Sequence, residues 1–492
     1  MKQINIYEEA SRCLFCQDAP CTKACPTGDP ARAIRAIRFD NHKPALRFVA
    51  DCTDADLEAA EQACIHYNYP IRIRELIRSI SPDDVNTDDY PDLTIDFCGI
   101  RCENPFFLAS SAVCTNYEMV ARAFDAGWAG VFYKTICLQD IREVSPRFDA
   151  VHNNGIYGDF YGFRNMEQLS ENPVDKDFDI LRRLKENYPT KVVVASIMGQ
   201  TEEQWIELAK MAERAGVDAI ELNFSCPQMK LAGMGSDVGQ NPELVAVYTT
   251  YVKRHTHIPV IPKMTPNITN MTQPALAAFY GGADAISAIN TIKSVTMDQR
   301  TEVSGRFTIS GYSGRAVKPI ALRHILEMAK IKLLADTQLS GIGGIETWRD
   351  ALEFIQLGCS NVQVCTAVMQ YGYRIIDDLT LGLRRYMAKR GIAHLADLVG
   401  EKINSFTHAG NLDRDTVIYP KINRERCIGC GRCELSCNDG GHQAIVFDRT
   451  TRQPRIVGSK CVGCHLCRLV CPSGAIGLTR RVPKKEKPMP NQ

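Results

Sequence analysis

Residues 192–227, VVVASIMGQTEEQWIELAKMAERAGVDAIELNFSCP, read as one strand–helix–strand unit. Val192–Ile197 is a short apolar run rich in β-branched residues, the pattern of a strand buried on both faces. Glu202–Ala215 follows with an amphipathic pattern of strong helix formers. Ala219–Phe224 is apolar again and runs into a polar Asn-x-Ser-Cys-Pro end. Two parallel strands need such a crossover helix.

The alternation continues in both directions. Further candidate strands are Phe106–Ser110, Gly130–Lys134, Val260–Met264, Ala285–Ile289, Leu339–Gly343 and Asn361–Cys365, and Pro319–Leu334 is a second clear amphipathic helix. Eight strands alternating with helices over about 300 residues predict an α/β fold, a (β/α)8 TIM barrel over 91–405. A doubly wound open sheet is the structural alternative. Function in a barrel collects at the C-terminal ends of the strands. Those ends carry Ala109-Ser110-Ser111, Lys134-Thr135, Asn223 to Pro227, Lys263 to Asn267, Asn290-Thr291, Gly341 to Gly344, and Cys365-Thr366. Glycines after strand seven would let backbone N–H groups approach a phosphate. Lys263 is the candidate to stabilise the N1–C2=O edge of a reduced flavin. The glycines 233, 235 and 239 give Met229–Gln240 the pattern of a closing lid.

Outside this region cysteine dominates. Of 21 cysteines, four lie in the first 25 residues and eight between Cys427 and Cys471. The start MKQINIYEEA has no apolar signal segment, and no run is long and apolar enough to span a bilayer, so the chain is expected to be cytoplasmic. Stable disulfides are rare there, and clustered thiols read as ligands. Cys427-x2-Cys430-x2-Cys433-x3-Cys437 is repeated as Cys461-x2-Cys464-x2-Cys467-x3-Cys471-Pro472, the spacing of a two-cluster ferredoxin over 412–480. In that arrangement the fourth thiol of each run serves the other cluster. Cys427, Cys430, Cys433 and Cys471 are therefore assigned to one [4Fe–4S] cluster, and Cys461, Cys464, Cys467 and Cys437 to the other. Zinc, which also takes four thiolates, is the competing metal. Asn438 stands where such runs usually carry proline.

The N-terminal segment, residues 1–80, carries Cys13-x2-Cys16-x4-Cys21-x3-Cys25-Pro26, then helical stretches at Ala31–Phe39 and Asp54–Cys64. Cys52 and Cys64 are its only other thiols. Six thiols cannot fill eight ligand positions, so one cluster, two with a non-cysteine ligand, zinc or no metal all remain open. Residues 81–90 read as a polar linker and 481–492 as a basic tail. Net charge is +1, so no bulk field draws the chain to nucleic acid or membrane. No G-x-G-x-x-G follows a strand, so no nicotinamide or FAD site of that kind is expected.

The runs NPFFLASSAV, KTICLQDIREVSPRF, ELNFSCPQM, PKMTPN, INTIKSVT, SGYSGRAVKPIALR, SGIGGIETW and VQVCTAVMQYGYRI, followed by the ferredoxin tail, resemble the dihydropyrimidine dehydrogenase family, and within it the FMN and iron–sulfur subunit of the bacterial NAD-dependent enzyme. The resemblance spans about 91 to 478. It implies FMN, two C-terminal [4Fe–4S] clusters, and reversible reduction of the C5=C6 bond of uracil or thymine. A hydride would pass from FMN to C6, and Cys226 would give a proton to C5. It implies pyrimidine contacts at Asn223, Ser225, Asn290 and Thr291. It implies FMN contacts at Ala109, Lys134, Thr135, Lys263, Gly314, Gly343, Gly344, Cys365 and Thr366. Thr201 or its neighbours stand where the family often has an asparagine after strand three, and Thr201 is read as that ring contact. The N-terminal segment resembles the domain that precedes the FAD and nicotinamide domains of the family. Cys13, Cys16, Cys21, Cys25 and Cys64 are expected to hold at least one further cluster. Electrons are expected from an FAD/NAD-binding partner subunit or an external ferredoxin, and the protein is expected to be oligomeric. Dihydroorotate dehydrogenase shares the barrel, FMN and the Ser-Cys-Pro cysteine, but usually has asparagine where this chain has Gln228, and lacks the ferredoxin tail. A reductase of another cyclic amide and a non-catalytic electron-transfer subunit are the other readings.

Overall fold

The computed structural model describes residues 5–66, 68–81, 90–152, 160–227, 229, 233–295 and 308–484. Most of the expected linker, most of the basic tail, part of the expected lid and Gln228 just before it lie outside the described residues. The chain divides into two compact units, one ending at Asn404 and the other beginning at Ser405.

Eight parallel strands close the barrel. In chain order they are β1 Phe106–Leu108, β2 Gly130–Phe132, β3 Val192–Ile197, β4 Ala219–Asn223, β5 Val260–Met264, β6 Ala285–Ala288, β7 Gln338–Ile342 and β8 Cys359–Val364. Each pairs with the next, and β8 returns to β1 through Val362 and Phe106. The register sets Asn223 beside Lys263, and Lys263 beside Ser287. The strands are buried on both faces because helices cover the outside, which is why β3 is apolar almost throughout. Trp205 of the helix Glu202–Arg214, for example, meets Phe224 edge-on at 5.2 Å.

Two excursions from the mouth form a second sheet. Phe148–His152 and Phe160–Asn165 leave the loop after β2, and Ile292–Ser294 and Ser310–Ser313 leave the loop after β6. They pair antiparallel, so Asn165 lies opposite Gly311.

The sequence reading treats residues 1–80 as a separate segment. In the structure they pack on the barrel as part of the same unit. The helix Pro30–Arg38 is capped by Asp29, which accepts from the Arg32 N–H at 3.0 Å. Its basic face meets acidic groups of the barrel. Arg35 Nε lies 2.7 Å from Asp378 Oδ2, with both side chains largely buried. The Asn41 amide donates to the Asp378 carbonyl at 2.7 Å, and Phe39 joins the barrel core against Tyr371. Burial, only partly offset by Arg35, leaves the Asp378 carboxyl pushed up to about 6. Without Arg35 that carboxylate is a buried charge with no cation beside it except more distant arginines. Removing one partner of such a pair costs about 3–5 kcal/mol. Arg35→Met is therefore expected to loosen residues 5–81 from the barrel. Limited proteolysis reads this directly, and an unchanged cleavage pattern would show that the pair does not hold the segment.

The second unit pairs Thr416–Ile422 with Ile476–Pro483, and Ile445–Asp448 with Gln453–Ile456. The first cysteine run ends in the helix Arg432–Gly440, which continues through Asn438, and a proline there would interrupt that helix. The second run helix, Leu466–Leu469, stops before Cys471-Pro472. Gly431 and His465 occupy matching places in the two runs, and both have positive φ. His465 sits in this unfavourable region with its ring nitrogen 2.8 Å from the Ile418 carbonyl.

Candidate active site and cluster sites

The C-terminal mouth of the barrel opens into a cavity of about 1030 Å³. Ala109, Lys134, Thr135, Lys263, Gly314, Gly343, Gly344, Cys365 and Thr366 all line it. So do Asn223, Cys226, Asn290 and Thr291.

At one end the wall is backbone. Gly314, Gly343 and Gly344 have φ of +90°, +126° and +75°, values that L side chains rarely adopt. A Cβ on Gly344 would stand 2.9 Å from the Gly314 carbonyl and from Lys318 N and Cβ. Two glycine loops thus meet at the start of the helix Lys318–Ala329, a shape suited to a phosphate. Gln363 lines the same cavity. Its amide donates to Ser340 at 2.8 Å, while its buried Oε1 has no partner. An incoming donor could satisfy that oxygen.

The floor carries two buried lysines. Lys134 pairs with Glu167 at 2.9 Å. Lys263 lies 3.5 Å from Glu221, whose oxygens accept from Ser196 at 2.9 Å and Ser287 at 3.0 Å. The Thr135 hydroxyl lies 3.0 Å from Ser110 Oγ and 2.9 Å from Ser196 Oγ, and accepts from the Asn223 amide at 2.9 Å. The ends of four strands, β1 to β4, are tied together in this way.

Beside the lysines, Asn223 Oδ1 accepts from Ser225 N–H at 3.1 Å and from its hydroxyl at 2.8 Å. Asn290 donates to Ser225 Oγ at 2.9 Å. Ser225 is fully buried and does not line the cavity, so it holds the two amides in place instead of reaching a ligand itself. Thr201 is not in the cavity either. Its hydroxyl accepts from Gln204 N–H and caps the helix Glu202–Arg214, as a threonine before Glu-Glu-Gln does. The third asparagine at the cavity is Asn165, on the excursion strand Phe160–Asn165. Sequence reasoning misses it, and Glu167, because neither sits at a barrel strand end. The alternating aromatic run FYGFRN was the available signal. Cys226 is buried in the wall, and its carbonyl accepts from Ser236 N–H at 2.9 Å. A Cβ on Gly235 would stand 2.4 Å from that carbonyl. The described part of the lid segment is thus pinned to the cysteine.

The thiols form three sets. Cys427, Cys430, Cys433 and Cys471 line one cavity of about 340 Å³, and Cys437, Cys461, Cys464 and Cys467 line another of about 330 Å³. Cys13, Cys16, Cys21 and Cys64 line a third, of about 380 Å³. Each set surrounds a void. Among the described residues no three such groups converge on one point, as a single zinc ion would require. Cys25, expected in the N-terminal set, instead lies 3.1 Å from Cys52, sulfur to sulfur. Burial pushes the Cys13 thiol up to about 12 and the Cys467 thiol up to about 11, so metal must displace protons to enter.

The description "Dihydroorotate dehydrogenase" matches residues 92–387, and "4Fe-4S dicluster domain" matches 420–478. The chain belongs to the dihydroorotate dehydrogenase family. Within it, the chain is similar to the NAD-dependent dihydropyrimidine dehydrogenase subunit PreA of Escherichia coli K12, with 53% identity over 73% of this chain and 89% of that one. It is 38% identical to the chloroplastic dihydropyrimidine dehydrogenase (NADP(+)) of Arabidopsis thaliana, over 64% of this chain and 78% of that one. It is also 38% identical to the catalytic subunit of dihydroorotate dehydrogenase B (NAD(+)) of Pyrococcus horikoshii, over 63% and 97%. A dihydroorotate dehydrogenase structure from Eimeria tenella shares the fold at 20% identity, with a TM-score of 0.54 over 65% of this chain and 91% of that one. Members of this family are flavoenzymes, and the glycine cradle, the unpartnered Gln363 oxygen and the floor lysines fit FMN. Gly344→Ala is expected to lower bound flavin at least about tenfold, because its Cβ would displace backbone on two sides. Flavin released by denaturing the purified protein measures this. An unchanged flavin-to-protein ratio would move the phosphate site elsewhere.

Proposed function

We propose that this chain reduces the C5=C6 bond of uracil or thymine reversibly, in the cavity at the barrel mouth. FMN bound over Lys263 and Lys134 would supply the hydride for C6, fed by electrons from the [4Fe–4S] clusters. The rest falls to the chain. Cys226 holds the proton for C5, in a wall of the cavity it shares with Lys263. Asn165, Asn223 and Asn290 line the same cavity; with Asn223 Oδ1 filled by Ser225, Asn223 keeps one amide N–H for a ring edge that alternates C=O and N–H, and Asn290 keeps one N–H and one acceptor position. Ser225 fixes two of these amides, and Thr291 completes that side. The observation that carries the reading is the convergence of Cys226 with Asn223 and Asn290 beside a lysine-lined floor, in a chain 53% identical to a dihydropyrimidine dehydrogenase subunit. The dicluster unit favours it over the plain dihydroorotate reaction.

In this reading Cys13, Cys16, Cys21 and Cys64 hold a third cluster, since their cavity matches the other two in size and in thiol number. The electrons come from an FAD/NAD-binding partner subunit or a ferredoxin, and the chain works as an oligomer in the cytoplasm. Among the described residues no helix is long and apolar enough to cross a membrane.

Two outcomes test this. With dithionite-reduced viologen as donor, Cys226→Ala is expected to keep its flavin and lose at least about 10²-fold in pyrimidine reduction, the scale of a lost general acid. Loss of uracil absorbance follows the rate, and an unchanged rate removes Cys226 from the chemistry. Anaerobically reconstituted protein is expected to hold about 12 iron atoms per chain, four for each of three cubanes. A plateau near about 8 would remove the N-terminal cluster.

A further inference from the structure

A side chain of the N-terminal segment touches a residue in the wall of the cofactor cavity. Arg38, the last residue of the helix Pro30–Arg38, places Nη2 3.3 Å from Glu346 Oε2 and 3.1 Å from the Tyr371 hydroxyl. Glu346 lies two residues after Gly344 and lines the cavity. Tyr371 ends the short helix Thr366–Tyr371, whose first residue lines it too. One guanidinium therefore ties together the loop after β7 and the helix after β8. The Phe39 ring, edge-on to Tyr371 at 5.2 Å, backs the contact.

The charges give the contact a function. Glu346 is a largely buried carboxylate in the wall of a cavity whose glycine end is shaped for a phosphate dianion. An anion there repels a second anion, and burial of the carboxylate strengthens the repulsion. Burial pushes the Glu346 carboxyl up, and Arg38 followed by Arg315 pulls it down. Arg315 belongs to the barrel. Arg38 arrives only when the N-terminal segment docks.

We propose that Arg38 is a positioning residue for flavin: by neutralising Glu346 and holding it to Tyr371, it makes docking of the N-terminal segment a condition for tight FMN binding. The proposal rests on the reading of this cavity as the FMN site. By linkage, bound FMN also holds the segment on the barrel.

Titration of the deflavinated full-length protein with FMN, followed by quenching of flavin fluorescence, tests it. Arg38→Met is expected to raise the FMN Kd by about tenfold or more, the scale of one charge-assisted hydrogen bond. Arg38→Met combined with Glu346→Gln is expected to recover most of that loss, because the uncompensated charge is then gone. Arg32→Met removes an exposed pair with Asp377 in the same interface, away from the cavity, and is expected to stay within about twofold of the parent. An Arg38→Met chain that binds FMN like the parent overturns the proposal. So does a loss that Glu346→Gln leaves in place, or one that Arg32→Met reproduces, since either marks a general structural effect. A parent chain that takes up no FMN at all overturns the flavin reading itself, and this proposal with it.

Discussion

Closure of the barrel is the constraint on which the first unit depends. Eight parallel strands, each hydrogen-bonded to both neighbours, must all end at the same rim. The residue just past each strand then has nowhere to point but the common mouth or the surrounding loops. This is how Ala109, Lys134, Asn223, Asn290 and Thr366, scattered through the sequence, come to share one cavity. The glycines after β7 follow from the same geometry. Only residues without a Cβ fit where that loop crosses Gly314 and the start of the following helix.

A mouth lined with buried cations needs counter-charges, because an unpaired buried charge costs far more than a paired one. Lys134 has Glu167 at 2.9 Å, and Lys263 has Glu221 at the looser distance of 3.5 Å. Glu221 is fully buried and already accepts from Ser196 of β3 and Ser287 of β6, so its position is fixed across the barrel interior. The longer contact holds Lys263 less tightly than Lys134, and each ammonium keeps further N–H donors for a ligand in the cavity both line. Such preorganised charge is what a reaction that builds negative charge on a flavin requires.

These features were unequally legible in the sequence. Strand ends announce themselves, because an apolar run stopping at Asn-x-Ser-Cys or Lys-Thr marks both the strand and its rim. The cysteine runs do so too, since their spacing is fixed by ligand geometry. Thr201 shows the limit of that reasoning: a threonine before a helix is most simply its cap, and here it is one. Ser225 sits in the right motif, yet lies behind Asn223 instead of in the cavity. Asn165 and Glu167 come from an excursion whose pairing with Ser310–Ser313 joins segments far apart in the chain, and no local pattern encodes such a pairing. The docking of Arg35 and Arg38 on Asp378 and Glu346 is hidden for the same reason. On a single helix those arginines read as a solvated face.

The N-terminal thiols show how spacing and three-dimensional placement combine. In each ferredoxin run the fourth cysteine leaves its own set and completes the other, which works only because there are two runs. The first N-terminal run behaves alike: Cys25 turns away from Cys13, Cys16 and Cys21. No second run awaits it. Cys25 meets Cys52 alone, while Cys64 fills the place that Cys25 leaves empty. Two thiols cannot fill the four ligand positions of a cubane, so in the reading proposed above the N-terminal segment would hold one cluster and no second. The leftover pair then has a packing role: Cys52 occupies the space a side chain on Gly28 would take, closing the turn that carries Cys25 into the helix Pro30–Arg38. The same short stretch of chain thus joins the run Cys13 to Cys25 at one end to Arg38 at the other.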